Sequence, residues 1–220
     1  MQLEPNPSSP TRRALLGLAA ALPVAALAQK ASMPDVGGTK PYKVLRNPVA
    51  NDKLRVREFI SYACPACQRY HAGIAQWAES LPRTLSFVVN PVILNASSQA
   101  EITLMSARVA LGKLAPGTMA KFDADALELM QAKGNSPSLA DIEGVVSRYG
   151  DAGKALVVMR QKQTLAQIEQ WLDAAGRYEV LKTPSLGVLG QFVVTPEDAA
   201  ARAELFFGLL NGLISQSIKA

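Results

Sequence analysis

Cysteine and histidine are nearly missing from this chain: there are two cysteines and one histidine in 220 residues. A tetrahedral metal site is therefore not expected, because the cysteine pair would still need two further ligands. A network of structural disulfides is excluded as well. The core has to come from burial alone, which a chain of this length can supply. Lysine and arginine outnumber aspartate and glutamate by 23 to 18, for a net charge of +5. These charges are spread along the chain without Lys/Arg clusters, and only 6% of residues are aromatic. That distribution argues against nucleic acid as a partner. No apolar run reaches the roughly 20 residues of a membrane-spanning helix, and no repeat of fixed period is present.

The longest apolar run has a different reading. Thr11-Arg12-Arg13 supplies positive charge, Ala14 to Ala28 is apolar around Pro23, and Ala26-Leu27-Ala28 has the small-x-small form of a cleavage site. These are the three regions of an export signal, expected over residues 1–28. The paired arginines fit the twin-arginine route. Ala14-Leu15-Leu16 lacks the Phe or Lys that usually follows, so ordinary Sec secretion fits as well. No cysteine follows the signal, which argues against a lipid anchor. Loss of Glu4, Arg12 and Arg13 lowers the net charge by one, from +5 to +4. The expected location is the periplasm, an oxidising compartment in which a cysteine pair is not simply kept reduced.

Beyond a loose leader over 29–41, Tyr42 to Leu45 reads as a short strand and Leu54 to Ser61 as a strong one. A helix is expected from Pro65 to Leu81, stopped at Leu81-Pro82, then a strand within Thr84 to Leu94. From Ser97 to Tyr178 the patterns are helical throughout: a helix capped by Ser97 or Ser98, one opened by Pro116, one by Ser138 with Asp141, one capped by Asp151, and one over Thr164 to Tyr178. In the last, Leu165, Ile168 and Leu172 are expected to form the apolar stripe. Strand signals return at Thr183 to Val188 and Phe192 to Val194, with a turn at Leu189-Gly190, and Pro196 opens a C-terminal helix to about Ile218. Strands before and after a long helical stretch predict an α/β domain, residues 29–95 and 180–220, with an all-helical insertion over 96–179.

The cysteines sit together as Cys64-Pro65-Ala66-Cys67, between the strong strand and the helix. Two intervening residues is the spacing of a reversible dithiol/disulfide. A static bridge over so short a loop restricts little unfolded-chain entropy and is a poor staple. Cys64 is expected at the helix N-cap, where unsatisfied N–H groups and the positive end of the helix dipole favour the attacking thiolate. Cys67, one turn inside, can attack a mixed disulfide and release product. Pro65 suits the first helical position.

The stretch Val56-Arg57-Glu58-Phe59-Ile60-Ser61-Tyr62-Ala63-Cys64-Pro65-Ala66-Cys67 resembles the active-site segment of the DsbA family, exported thiol-disulfide oxidoreductases of the thioredoxin superfamily. Tyr70, Trp77, Asn90-Pro91-Val92 and Lys182-Thr183-Pro184-Ser185-Leu186 also fit, and the likeness covers nearly all of the chain after the signal. It implies a thioredoxin fold with an inserted all-helical domain. It implies catalytic roles for Cys64, Cys67, Glu58 as a buried acid moving a proton to or from the inner thiol, and Pro184 as a cis-proline facing the disulfide. Pro65, Ala66 and Thr183 would then touch substrate, the Thr183 backbone by strand addition. The chain departs from the pattern in three places: Ala66 stands where the family commonly has His, Thr183 where oxidases of this kind usually have Val, and Ser86 and Phe87 in the strand region where some members place a Lys near the buried acid. With no donor at Ala66, a Cys64 pKa near thioredoxin's ~7 is expected rather than the ~3.5 end of the CxxC range.

The expected activity is donation of the Cys64–Cys67 disulfide to unfolded or partly folded exported proteins that contain cysteines. No cofactor beyond that disulfide and no metal are expected. A membrane quinone-linked reoxidase of the DsbB kind is the expected partner, and the chain is expected to be a monomer. Alternatives are a reductase or isomerase of the same compartment, or a non-catalytic thioredoxin-fold chaperone. His71 reads as a surface or half-buried helix residue, Trp77 and Trp171 as core, and the methionines of the insertion as core filling.

Overall fold

The computed structural model describes residues 40–93 and 98–219. The expected signal, most of the leader and the alternative cap Ser97 lie outside the described residues. Five strands form one sheet: β1 (Lys43–Val44), β2 (Arg55–Ile60), β3 (Ser86–Pro91), β4 (Ser185–Val188) and β5 (Phe192–Val194), in the order β1-β5-β4-β2-β3. Strand β2 runs parallel to β3 and antiparallel to β4, so it has a partner on each side. A parallel pair needs a crossover, and α1 (Pro65–Ala78) makes it. The remaining helices are α2 (Gln99–Leu114), α3 (Met119–Ala132), α4 (Leu139–Val146), α5 (Ala152–Met159), α6 (Lys162–Arg177) and α7 (Ala203–Lys219). The architecture is α/β, a thioredoxin fold with α2 to α6 inserted between β3 and β4.

Side-chain volume and polarity place the core in three clusters. On one side of the sheet Val56 and Val188 meet Ile74 and Trp77 of α1 and Phe206, Leu209 and Leu213 of α7. On the other, Phe59 packs on Tyr178 at a centroid distance of 5.2 Å. The third cluster joins Ile60, Tyr62 and Cys67 to Leu104, Met105, Phe122 and Met130 of the insertion. Burying each large apolar side chain contributes roughly 1.5–3 kcal/mol. The inner cysteine therefore lies where the sheet domain and the helical insertion share a core.

Local signals act as anticipated at several helix starts. Ser98 accepts from Glu101 N, Ser138 and Asp141 form a capping box, and Asp151 accepts from Lys154 N. Three expectations change. Helix α1 ends at Ala78, and Ser80 and Leu81 continue it only with tight bonds to Trp77 O and Ala78 O, because the residue before a proline avoids helical geometry. The stripe of α6 is Thr164, Ile168 and Ala175, while Leu165 and Leu172 are exposed. The Thr164 hydroxyl donates to Val158 O at 2.6 Å and Arg108 stacks over Trp171, which together turn that face inward. The C-terminal helix is split: a 3₁₀ turn at Pro196–Ala199 is followed by left-handed Ala200 and Ala201 before α7 begins. The Thr195–Asp198 capping box closes the short turn, and Ala201 O accepts from the Tyr70 hydroxyl.

Candidate active site

Cys64 has an extended backbone, φ −89° and ψ 114°, and caps α1. Pro65 follows at the first helical position, where its missing N–H and fixed φ cost nothing. Cys64 N donates to Ser61 O at 3.0 Å, and its sulfur accepts from Cys67 N at 3.3 Å. Both cysteines are free; Cys64 is half-buried and Cys67 fully buried. Pro65 is exposed and Ala66 half-buried beside Cys64. The Thr183–Pro184 peptide is cis, with Pro184 buried and Thr183 half-buried at the head of β4. Cys64 Sγ lies 3.2 Å from Thr183 O, a carbonyl to which only the protonated thiol can donate. Thus Cys64, Cys67, Thr183 and Pro184 come together from segments more than a hundred residues apart.

The two thiols are pushed in opposite directions. The Cys67 thiol donating to the Cys64 sulfur is the largest influence on Cys64 and favours its thiolate; burial opposes it. The Thr183 side chain and the backbone N–H groups of Cys67 and Ala66 add to the lowering, and the Cys64 pKa falls to about 5. This is more acidic than the value expected from Ala66. The reason is that backbone and thiol donors make the shift, and the backbone N–H of residue 66 contributes whatever its side chain is. Burial pushes the Cys67 thiol far up, with the hydrogen bond and charge of Cys64 adding to it. The outer sulfur is an anion at neutral pH and the inner one a neutral thiol. A pair so arranged can exchange a disulfide: the outer sulfur attacks or is attacked, and the inner one resolves.

Glu58 is completely buried on β2, between Val89 of β3 and Leu186 of β4 in register. Its carboxylate oxygens lie 2.9 and 3.1 Å from Nδ1 of His71. His71 is thus not a surface or half-buried residue, as the sequence implied, but is only 2% exposed. The available signal was its position four residues after Cys67, on the same inward face of α1. A buried acid also needs a buried partner, and this is the only histidine.

Sequence reasoning also missed two polar contacts from the insertion. Glu101 of α2, 3% exposed, accepts from the Ser61 hydroxyl at 2.6 Å and from Ala63 N at 3.3 Å. Asp123 of α3, fully buried, accepts from the Tyr62 hydroxyl at 2.7 Å and pairs with Arg108. Both hold the segment that delivers Cys64. Among the described residues no three or more His, Cys, Asp or Glu side chains are grouped to hold a metal ion.

The chain is 24% identical over 207 residues to the thiol:disulfide interchange protein DsbA of Bordetella parapertussis, covering 92% of this chain and 96% of that protein. The chain is DsbA-like. The crystal structure of Pseudomonas aeruginosa DsbA matches this DsbA-like fold with a TM-score of 0.71 at 21% identity, over 82% of this chain and 93% of that one. A Proteus mirabilis DsbA in complex with a non-covalently bound peptide, PWATCDS, matches with a TM-score of 0.68 at 16% identity, over 85% and 100% of the two chains. No protein-family model matches the chain.

Proposed function

We propose that this DsbA-like chain is an exported thiol-disulfide oxidoreductase that donates its Cys64–Cys67 disulfide to folding proteins in the periplasm. A substrate thiolate attacks Cys64 Sγ, the Cys64–Cys67 bond breaks, and Cys67 leaves and takes up a proton. A second substrate thiolate then attacks the mixed disulfide, forming the substrate disulfide and releasing the Cys64 thiolate. The observation that carries this reading is the Cys64 sulfur at the N-cap, receiving donors from Cys67 and Ala66. A stabilised thiolate favours the reduced form and so makes the disulfide a stronger oxidant.

In this reading residues 1–28 are the export signal, removed on export. Residues 29–95 and 180–220 form the thioredoxin-like domain and 96–179 its helical insertion. Pro65, Ala66, Thr183 and Pro184 flank the attacked sulfur and receive an extended, cysteine-bearing segment, consistent with the peptide bound by the Proteus mirabilis relative. The substrates are unfolded or partly folded exported proteins, and a membrane quinone-linked enzyme restores the disulfide of a monomeric carrier. Glu58 supplies and recovers the proton of Cys67. Glu58→Gln should slow the steps in which Cys67 gains or loses that proton, with little change in the far-UV circular dichroism spectrum.

The deciding experiment is the reduction potential of the Cys64–Cys67 pair, obtained by equilibrating the protein without residues 1–28 in glutathione buffers. A value of about −120 to −160 mV is expected for a disulfide donor, and one near about −230 mV or lower would assign the chain to the reductase class instead.

A further inference from the structure

Among the described residues one buried side-chain nitrogen or oxygen has no hydrogen-bond partner, and it is Nε2 of His71. The other ring nitrogen bridges both oxygens of Glu58, and among the described residues Glu58 makes its side-chain hydrogen bonds to this ring alone. Both residues are almost completely removed from solvent. His71 follows Cys67 by four residues on α1, so the two stand on one face of the helix. Helical side chains lean towards the N-terminus, the end of α1 at which Cys67 stands.

We propose that His71 is the positioning residue through which Glu58 holds a proton beneath Cys67, the two side chains sharing one proton that is lent to the sulfur when the disulfide opens. This rests on thiol-disulfide exchange at Cys64 and Cys67. A lone buried carboxylate or a lone buried imidazolium would each face the full cost of an unpaired charge. Together they bind one proton with no net charge, whichever of the two carries it. Burial raises Glu58, with the His71 hydrogen bond opposing. Burial would lower His71, but the Glu58 bond and charge outweigh it, so both groups hold protons more tightly than usual.

The other charges facing the pair are Asp123 of α3 and Arg108 of α2, which form a hydrogen-bonded ion pair of their own. Strands β3 and β4 place only Val89 and Leu186 beside Glu58 in register. The thiols on the same helix are Cys67 and, at its cap, Cys64. When a substrate thiolate attacks Cys64, the sulfur–sulfur bond breaks and its electron pair goes to Cys67. The pair gives Cys67 the proton and is left as Glu58 carboxylate with neutral His71. In the reverse direction Cys67 returns the proton before its thiolate attacks the mixed disulfide.

As the only histidine in the chain, His71 gives an unambiguous nitrogen-15 NMR signal. Its tautomer and titration should be followed in the oxidised and reduced protein. In parallel, the attack of Cys67 on a Cys64–glutathione mixed disulfide should be timed across pH in wild type and His71→Gln, with Cys64 thiolate absorbance as a control. The expected results are a His71 titration that differs between the two redox states, and a His71→Gln rate at least about tenfold lower near neutral pH, less than the roughly 10²–10⁴-fold of a group that itself transfers the proton, because His71 acts through Glu58. The variant should also lose the wild-type pH inflection while Cys64 titrates unchanged. A His71 that titrates identically in both states overturns the proposal even if the variant does not fold, and so does a folded variant with the wild-type pH profile. If no mixed disulfide forms with glutathione, detected by mass, the exchange reading itself fails and this proposal with it.

Discussion

At Cys64 four donors converge on one sulfur, the Cys67 thiol, the Thr183 side chain and the N–H groups of Cys67 and Ala66, and pH should report them. Its thiol is lowered from 9.0 to about 5, so in the reduced protein the folded state binds this proton less tightly than the unfolded chain does. The resulting stabilisation is fully present above the unfolded thiol's pKa and is lost as pH falls through about 5. The disulfide form has no such thiol. Thermal melts of both forms should therefore show the reduced protein gaining on the oxidised one as pH rises from about 5 towards 9. Parallel melting curves across that range would contradict the thiolate at the N-cap. Ala66 illustrates why a residue's side chain was a poor guide here: its backbone N–H takes part in lowering the thiol.

Among the elements, β4 shows how close approach governs sequence. Gly187 lies against the ring of Tyr178, and a Cβ there would overlap Cε1 and Cδ1 of that ring. The ring has little freedom to retreat, since Tyr178 is fully buried, packs on Phe59 and donates its hydroxyl to Asp52 at 3.0 Å. Asp52 in turn accepts from Arg55 and Arg57. Overpacking of this sort costs about 1–3 kcal/mol. Gly187→Ala should lower the melting temperature by several degrees, about 2–4 °C per kcal/mol at this size, measured by calorimetry. The strand signal at 183–188 was readable from the sequence; the aromatic ring that demands glycine in it comes from the end of α6 and was not.

Across the whole molecule, the helical insertion secures the active-site segment. Glu101 receives the Ser61 hydroxyl and the Ala63 amide, and Asp123 receives the Tyr62 hydroxyl. Glu101→Leu would leave two donors without an acceptor, at about 1–3 kcal/mol for each fully buried one. Denaturant unfolding should show this loss. Amide hydrogen exchange should show faster opening at Ser61 to Cys64 than in β4, because the change loosens the turn into α1 and leaves the sheet pairing of β4 untouched.

The sequence by itself determined the element order, the interruption of an α/β domain by helices, the helix caps at Ser138 and Asp151, a cap at Ser97 or Ser98, and the placement of the cysteine pair at a helix start. All of these depend on neighbours within a few residues, which is the range over which caps, prolines and hydrophobic periodicity act. Glu58 was singled out because a lone acid in an apolar strand demands an explanation. Only the tertiary structure decided what that explanation is. Burial of His71, the Glu101 clamp, the true inward face of α6 and the acidity of Cys64 all arise where distant segments meet. Their energies come from desolvation and from partners supplied by other elements, and no local pattern records which side chain will be the partner.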